Sequence, residues 1–164
     1  MSLYNDKIKT LAASLATYPP LPPLSSRVSG DFTLRASVDN PLCGDRIRLA
    51  ANCQQGQISA LRAEVRGCLL CQGATAIALA AVKRAPLSAA TLAQVSAQWA
   101  DFLQSNRGTE QWQATQQSAW QELVVFAPLQ AHKSRQGCVQ LIFEGLEHIF
   151  QQAEQGKSCS EPPR

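Results

Sequence analysis

A change in hydrophobic periodicity near Gly67 is the feature that most limits the folds open to this chain. Before this point, from about Gly30 to Arg66, apolar and polar residues alternate with the period of two that is typical of half-buried strands. The alternating apolar positions are Phe32, Leu34, Ala36, Val38, Ile47, Leu49, Leu61, Ala63 and Val65. With a hairpin turn at Gln54-Gln55-Gly56, the pattern predicts three antiparallel strands.

Helical patterns surround this predicted sheet. Apolar spacing predicts an amphipathic helix over 2–17, which the proline-rich connector from Pro19 to Ser26 ends. Three further helices are predicted at Cys71 to Lys83, at Ala89 to Gln104 with Ser88 as N-cap, and at Arg135 to Glu154. For the polar stretch from Ser105 to Ser118 the pattern favours no definite structure, and a helix-turn-helix insertion is one reading.

The order of these elements predicts an α+β fold, in which a small antiparallel three-stranded sheet packs against several helices. A length of 164 residues lies within the range of one domain, and no internal repeat is visible. We therefore expect a single domain over residues 1–155 and a flexible tail over 156–164.

The composition excludes several classes of function. Hydrophobic residues make up 45% and charged residues 16%, as in folded soluble proteins. The formal charge is only +3, and the basic residues are spread through the chain without aromatic interleaving, which argues against a nucleic-acid partner. No apolar run approaches the roughly 20 residues that span a bilayer, and residues 1–10 do not lead into a signal-peptide core. We expect a cytoplasmic protein without a membrane partner.

Six cysteines are the unusual part of the composition. In the cytosol, reduced thiols are expected rather than three disulfides, which directs attention to metal binding, persulfide chemistry or simple burial. Cys53 and Cys159 match no ligand motif, and we expect that neither binds a metal.

The segment from Asn40 to Asp45 places a thiol and a carboxylate two residues apart between two predicted strands. Gly44 allows the backbone to bend there, so that Cys43 and Asp45 can face one point. A thiolate and a carboxylate form a mixed ligand set that suits zinc or iron. The alternative is a structural turn, in which Asp45 caps backbone amides and Cys43 is merely buried.

Cys68 and Cys138 both lie where a predicted helix begins, a position at which free amides and the helix dipole favour a thiolate. Cys68 and Cys71 also form a CxxC pair, which alone is a weak signal: it fits a redox pair, half of a zinc site, or a small core residue at Cys71. Periodicity does not show that these thiols converge, because each also fits a buried hydrophobic position.

Three segments resemble the ligand motifs of the SufU and IscU proteins, the group homologous to the N-terminal domain of NifU. Asn40 to Leu49 is similar to their first motif, Gly67-Cys68 followed by Gly73 to Ala76 resembles the second, and Ser134 to Leu141 resembles the third. The long interval between the second and third motifs, including much of Trp99 to Trp120, is similar to the insertion of the SufU branch.

This resemblance implies a SufE/NifU-like fold and a specific ligand set. Zinc or a labile [2Fe-2S] cluster would be held by Cys43, Asp45, Cys68 and Cys138. The resemblance further implies that Cys138 accepts sulfur, and that Arg135 engages a SufS-like cysteine desulfurase.

The function implied is that of a non-enzymatic iron-sulfur cluster assembly scaffold, which passes its cargo to recipient proteins. One alternative is a zinc-dependent sulfurtransferase that accepts persulfide sulfur, and another is an adaptor with a structural zinc site. The chain departs from the family pattern at three places. Thr17 to Pro20 replaces the usual His-Tyr and Asn-Pro pairs, and Gly137 replaces a basic residue or histidine. Cys71 stands where family members usually have a small residue, and we expect its side chain to be packed in the core.

Overall fold

Three long antiparallel strands form the sheet, as the alternation predicted. The computed structural model describes residues 3–22, 32–115, 119–155 and 159–160, with the backbone alone at 113–115 and 159–160. The strands are β1 (Leu34–Asn40), β2 (Asp45–Gln54) and β3 (Gln57–Arg66). β2 lies in the middle, so that Val38, Ile47 and Val65 stand opposite one another on the face that meets the helices. The predicted α+β architecture is confirmed.

The turn between β2 and β3 is also as predicted. Gln55 and Gly56 connect the paired residues Gln54 and Gln57, and both have positive φ, at 52° and 78°. Two such residues in succession are the mark of a type I′ hairpin turn, which matches the twist of the flanking strands.

The sheet has more than the three strands expected. A short strand β4 (Leu87–Ser88) pairs antiparallel with β3, and β5 (Cys159–Ser160) pairs parallel with the end of β2 at Cys53. Each contains two residues, which is too short for an alternating pattern to be visible in the sequence.

Five α-helices are present among the described residues: α1 (Asp6–Ser14), α2 (Leu69–Arg84), α3 (Ala89–Gln104), α4 (Thr109–Thr115) and α5 (Gln136–Glu154). 3-10 helical segments cover Leu15–Thr17, Gln121–Ala131 and Lys133–Arg135. The predicted N-cap of α3 is confirmed, since the Ser88 hydroxyl accepts a hydrogen bond from the Thr91 amide. Each of these helices is too short or too polar to cross a bilayer.

The polar stretch without a predicted structure contains α4, which packs on α3. Trp112 of α4 lies 5.2 Å from Trp99 and 5.6 Å from Phe102, measured between ring centroids. Among the described residues of this stretch, 105–115, α4 is the one helix, so the interpretation as a helix-turn-helix within Ser105 to Ser118 is not borne out there. Its end at 116–118 lies outside the described residues, as do 23–26 of the connector and most of the predicted tail.

α2 and α5 cover one face of the sheet and form the core with it. Leu34, Ile47, Ile77, Val139 and Leu146 are completely buried there. Burying each such side chain contributes roughly 1.5–3 kcal/mol, so this interface fixes the position of both helices. The N-termini of α2 and α5 are thereby held beside the turn between β1 and β2.

Candidate metal centre

The turn between β1 and β2 presents one exposed thiol and one buried carboxylate. Gly44 has a φ of +72°, and its amide donates a hydrogen bond of 2.8 Å to the Asn40 carbonyl. The Asn40 side chain accepts a second bond from the Leu42 amide at 3.1 Å. This tight turn leaves Cys43 exposed and turns Asp45 inward, where only 2% of its surface is accessible.

Cys138 reaches the same point from the first turn of α5. Its side chain is 1% exposed, and its Sγ lies 3.5 Å from the Sγ of Cys43. Cys43, Asp45 and Cys138 each offer one ligand atom, and these three atoms lie within 4.8 Å of one another. Two sulfurs and a carboxylate oxygen at this spacing can bind a single metal ion.

Cys68 adjoins this group through Asp45. It is the N-cap residue of α2, and its amide donates a hydrogen bond of 3.0 Å to Asp45 Oδ1. The Cys68 thiol donates to the other carboxylate oxygen at 3.4 Å. Asp45 therefore both caps a backbone amide and faces the thiols. The two interpretations of this carboxylate, as a metal ligand and as a cap of backbone amides, are compatible with each other.

Gly67 makes room for Asp45. A Cβ at this position would lie 2.7 Å from Asp45 Oδ1 and 2.8 Å from its Cγ. Carbon atoms do not approach an oxygen this closely, so any other residue at this position would displace the carboxylate. Gly67 thus controls the carboxylate's position although it offers no ligand atom.

Burial keeps the thiols protonated in the metal-free protein. It raises the pKa of Cys138, whose hydrogen bond to Cys43 acts in the same direction. Burial also raises the pKa of Cys68, against the opposing effect of the Cys71 amide. The amide at the start of α2 favours the Cys68 thiolate, as expected, but loss of solvent outweighs it, so the pKa of Cys68 remains raised. A cation bound by these residues would supply positive charge that favours their thiolate forms.

The other cysteines with described side chains lie outside this group. Cys71 is fully buried in the hydrophobic core, as expected, and burial raises its pKa strongly. Cys53 is fully buried and disulfide-bonded, so the expectation of reduced thiols is wrong for this residue. Its environment differs from that of the ligand candidates, because it lies at the far end of β2 beside β5.

Arg135 immediately precedes α5 and is exposed, with its guanidinium donating a 3.3 Å hydrogen bond to the Tyr4 hydroxyl. Its role in binding a desulfurase stays a prediction. Gly137, the next departure from the family pattern, adjoins Asn40, whose side-chain nitrogen would lie 3.0 Å from a Cβ at that position. A larger residue there would have to push Asn40 aside.

The sequence did not single out Gln136, the first residue of α5. Its side chain is 7% exposed, donates to the Leu129 carbonyl at 2.9 Å and accepts from Gln104 at 3.2 Å. These bonds tie the helix that carries Cys138 to α3 and to the segment before it. A glutamine at a helix start is normally exposed, so the pattern contained no signal for this role.

Solved structures with the same architecture include a nitrogen-fixing NifU-like protein (N-terminal) from Brucella abortus. The two share 19% sequence identity with a TM-score of 0.75, over 93% of this chain and 95% of that one. The chain has the NifU-like fold. No protein-family model and no curated protein matches it.

Two further structures share this NifU-like fold. One, from Fervidobacterium islandicum AW-1, is described as a candidate iron-sulfur cluster assembly scaffold for the SUF system; identity is 13% and TM-score 0.58, over 90% and 96% of the chains. A hypothetical protein has 17% identity and a TM-score of 0.65, over 90% of this chain and 99% of that one. The resemblance seen in the motifs is thus confirmed at the level of the fold.

Proposed function

We propose that this protein is an iron-sulfur cluster assembly scaffold. It holds a metal or a nascent [2Fe-2S] cluster on Cys43, Asp45, Cys68 and Cys138 and passes it to recipient proteins in the cytoplasm. The observation that carries this proposal is the convergence of two thiols and a carboxylate within 4.8 Å in a NifU-like fold. A protein with the same fold is described as a candidate scaffold of this kind.

The donor set suits a centre that must release its cargo. Three thiolates fit both tetrahedral zinc and iron-sulfur chemistry, whereas a carboxylate is a harder and more exchangeable ligand. Asp45 is held by the amide and thiol of Cys68, so the carboxylate stays oriented when the cargo leaves. Binding displaces protons from the buried thiols, and affinity therefore rises with pH.

The second candidate function is zinc-dependent sulfur transfer, in which Cys138 accepts sulfur from a cysteine desulfurase that docks at Arg135. The Cys138 thiolate attacks the outer sulfur of the desulfurase persulfide, and the desulfurase cysteine leaves as a thiolate. The position of Arg135 on the surface, three residues before Cys138, favours this candidate. An adaptor with a structural zinc site is the third candidate.

The metal and acid-labile sulfide contents of protein purified without oxygen test these candidates. Asp45→Ala and Cys138→Ser are compared with the wild type, and Asp39→Ala, an exposed carboxylate on the same hairpin, is the matched control. Iron with sulfide, lost in the two site variants alone, supports the scaffold. Zinc at about one per chain supports the other candidates. Stimulation of a desulfurase then separates sulfur transfer from an adaptor, and absence of metal in every preparation contradicts the site.

A further inference from the structure

Strand pairing gathers arginines on the face of the sheet that points away from α2 and α5. The cross-strand rows on this face are Arg35–Ala50–Arg62, Ser37–Arg48–Glu64 and Asp39–Arg46–Arg66. We call this surface, with Arg35, Arg46, Arg48, Arg62 and Arg66, the arginine face. Its five arginines and two carboxylates give an excess of three positive charges, equal to the net charge of the chain, +3.

Most of these arginines already have a partner. Arg46 donates to Asp39 at 2.6 Å, and Arg66 lies 3.9 Å from Glu64. Two more contact other segments of the same chain. Arg35 donates a hydrogen bond of 2.6 Å to the Pro22 carbonyl, and the Arg62 guanidinium lies 4.5 Å above the Phe32 ring.

Arg48 is different, because it forms neither an ion pair nor a hydrogen bond with the described residues. It lines a depression of about 580 Å³ whose lining also includes Leu21, Pro22, Ser37 and Glu64. An exposed guanidinium beside an apolar wall suits a side chain that ends in a carboxylate, since arginine binds carboxylates through two parallel hydrogen bonds.

We infer that the arginine face is a docking surface for an acidic segment of a partner protein, with one partner carboxylate seated on Arg48. Charge complementarity selects this partner. The excess of arginine attracts an acidic surface, and arginine is enriched in protein interfaces.

A nucleic acid fits the same face less well. The aromatic ring beside the described part of this face, Phe32, is already covered by Arg62 and is not free to stack on a base.

The arginine face extends to the candidate metal centre. Arg46 follows Asp45 in β2, and Arg66 is joined to Cys68 through Gly67. A protein docked on this face therefore lies beside the centre, although the docking itself needs no metal.

The test is the binding of a fluorescein-labelled decaglutamate peptide, followed by fluorescence anisotropy at low ionic strength. Arg48→Glu is compared with Arg84→Glu, which makes the same change in charge at the exposed end of α2. We expect Arg48→Glu to weaken binding by about tenfold or more and Arg84→Glu by less than about twofold. Metal content and circular dichroism of both variants should match the wild type.

An oligothymidylate of equal charge is the competing probe. Weaker binding of the oligonucleotide than of the peptide supports the inference. Three results overturn it: no binding of the peptide to the wild type, equal loss in the two variants, or tighter binding of the oligonucleotide with dependence on Arg48. Equal loss in the two variants would indicate that binding depends on net charge alone. Tighter, Arg48-dependent binding of the oligonucleotide would indicate a nucleic-acid surface.

Discussion

The Sγ atoms of Cys43 and Cys138 lie 3.5 Å apart although 95 residues separate them in the chain. One belongs to the turn between β1 and β2 and the other to the first turn of α5. Their contact therefore depends on the docking of α5 on the sheet. Residues that hold the helix or the turn in place should affect metal binding without being ligands.

Gly67→Ala should weaken zinc binding by at least about tenfold, because the added Cβ collides with Asp45 and displaces the carboxylate. Competition with a chromophoric chelator measures this affinity. Gly108→Ala is the matched control, since a Cβ at Gly108 meets no atom within 4 Å. Equal affinities of the two variants would show that Asp45 tolerates displacement or does not bind the metal.

The metal-free protein should lose stability as the pH rises above about 9. Burial raises the pKa of Cys71 and Cys138 in the folded state above the ordinary value of 9.0. Above that value the unfolded chain loses thiol protons that the folded chain keeps, so the free energy of unfolding falls. The slope is about 1.4 kcal/mol per pH unit for each thiol. Urea unfolding with a chelator, at about pH 8 and about pH 10, measures this change.

Cys71→Ala isolates one thiol in that experiment. Between the two pH values, the free energy of unfolding should fall less in the variant than in the wild type. One of the buried titrating groups is gone, whereas the other groups that titrate in this range are unchanged. An identical pH dependence in wild type and variant would contradict a buried, protonated Cys71.

Gln136→Ala should lower the free energy of unfolding by about 1–3 kcal/mol, since it leaves the Leu129 carbonyl without its donor. Gln104→Ala removes the other partner of the same side chain. In a double-mutant cycle, the sum of the stability losses of the two single variants should exceed the stability loss of the double variant. Simple additivity, measured by urea unfolding, would mean that the two glutamines do not interact.

Cys53 should resist alkylation in denatured protein until a reductant is added, because it is disulfide-bonded. Cys43, Cys68, Cys71 and Cys138 should be labelled before reduction, because they are free thiols. Mass spectrometry of the digested protein distinguishes the two classes. Labelling of Cys53 without reductant would contradict the disulfide.

Much of the fold could be predicted from local patterns. The alternation through Val38, Ile47 and Val65 identified the three long strands because each strand has one buried face. The helices were predicted for the same reason, and Ser88 was found as an N-cap from its chemistry alone. The ligand set came from similarity to known motifs; the structure brings its members into proximity, and their binding of a metal stays a prediction.

Features that depend on approach between distant residues could not be predicted. The contact that requires Gly67 becomes visible only when Asp45 is placed beside it, 22 residues away in the chain. The burial of Gln136 depends on where Gln104 and Leu129 lie. The arginines looked scattered along the sequence, and only the register of the strands places them on one surface.

The two sides of the candidate metal centre differ in stiffness. Cys138 is anchored in a 19-residue helix whose inner side is packed into the core, so moving it means moving the helix. Cys43 lies in the short turn between Asn40 and Asp45 and is exposed, so displacing its side chain would break little buried contact. The candidate centre is therefore walled by the packed helix α5 on one side and open to solvent at Cys43 on the other.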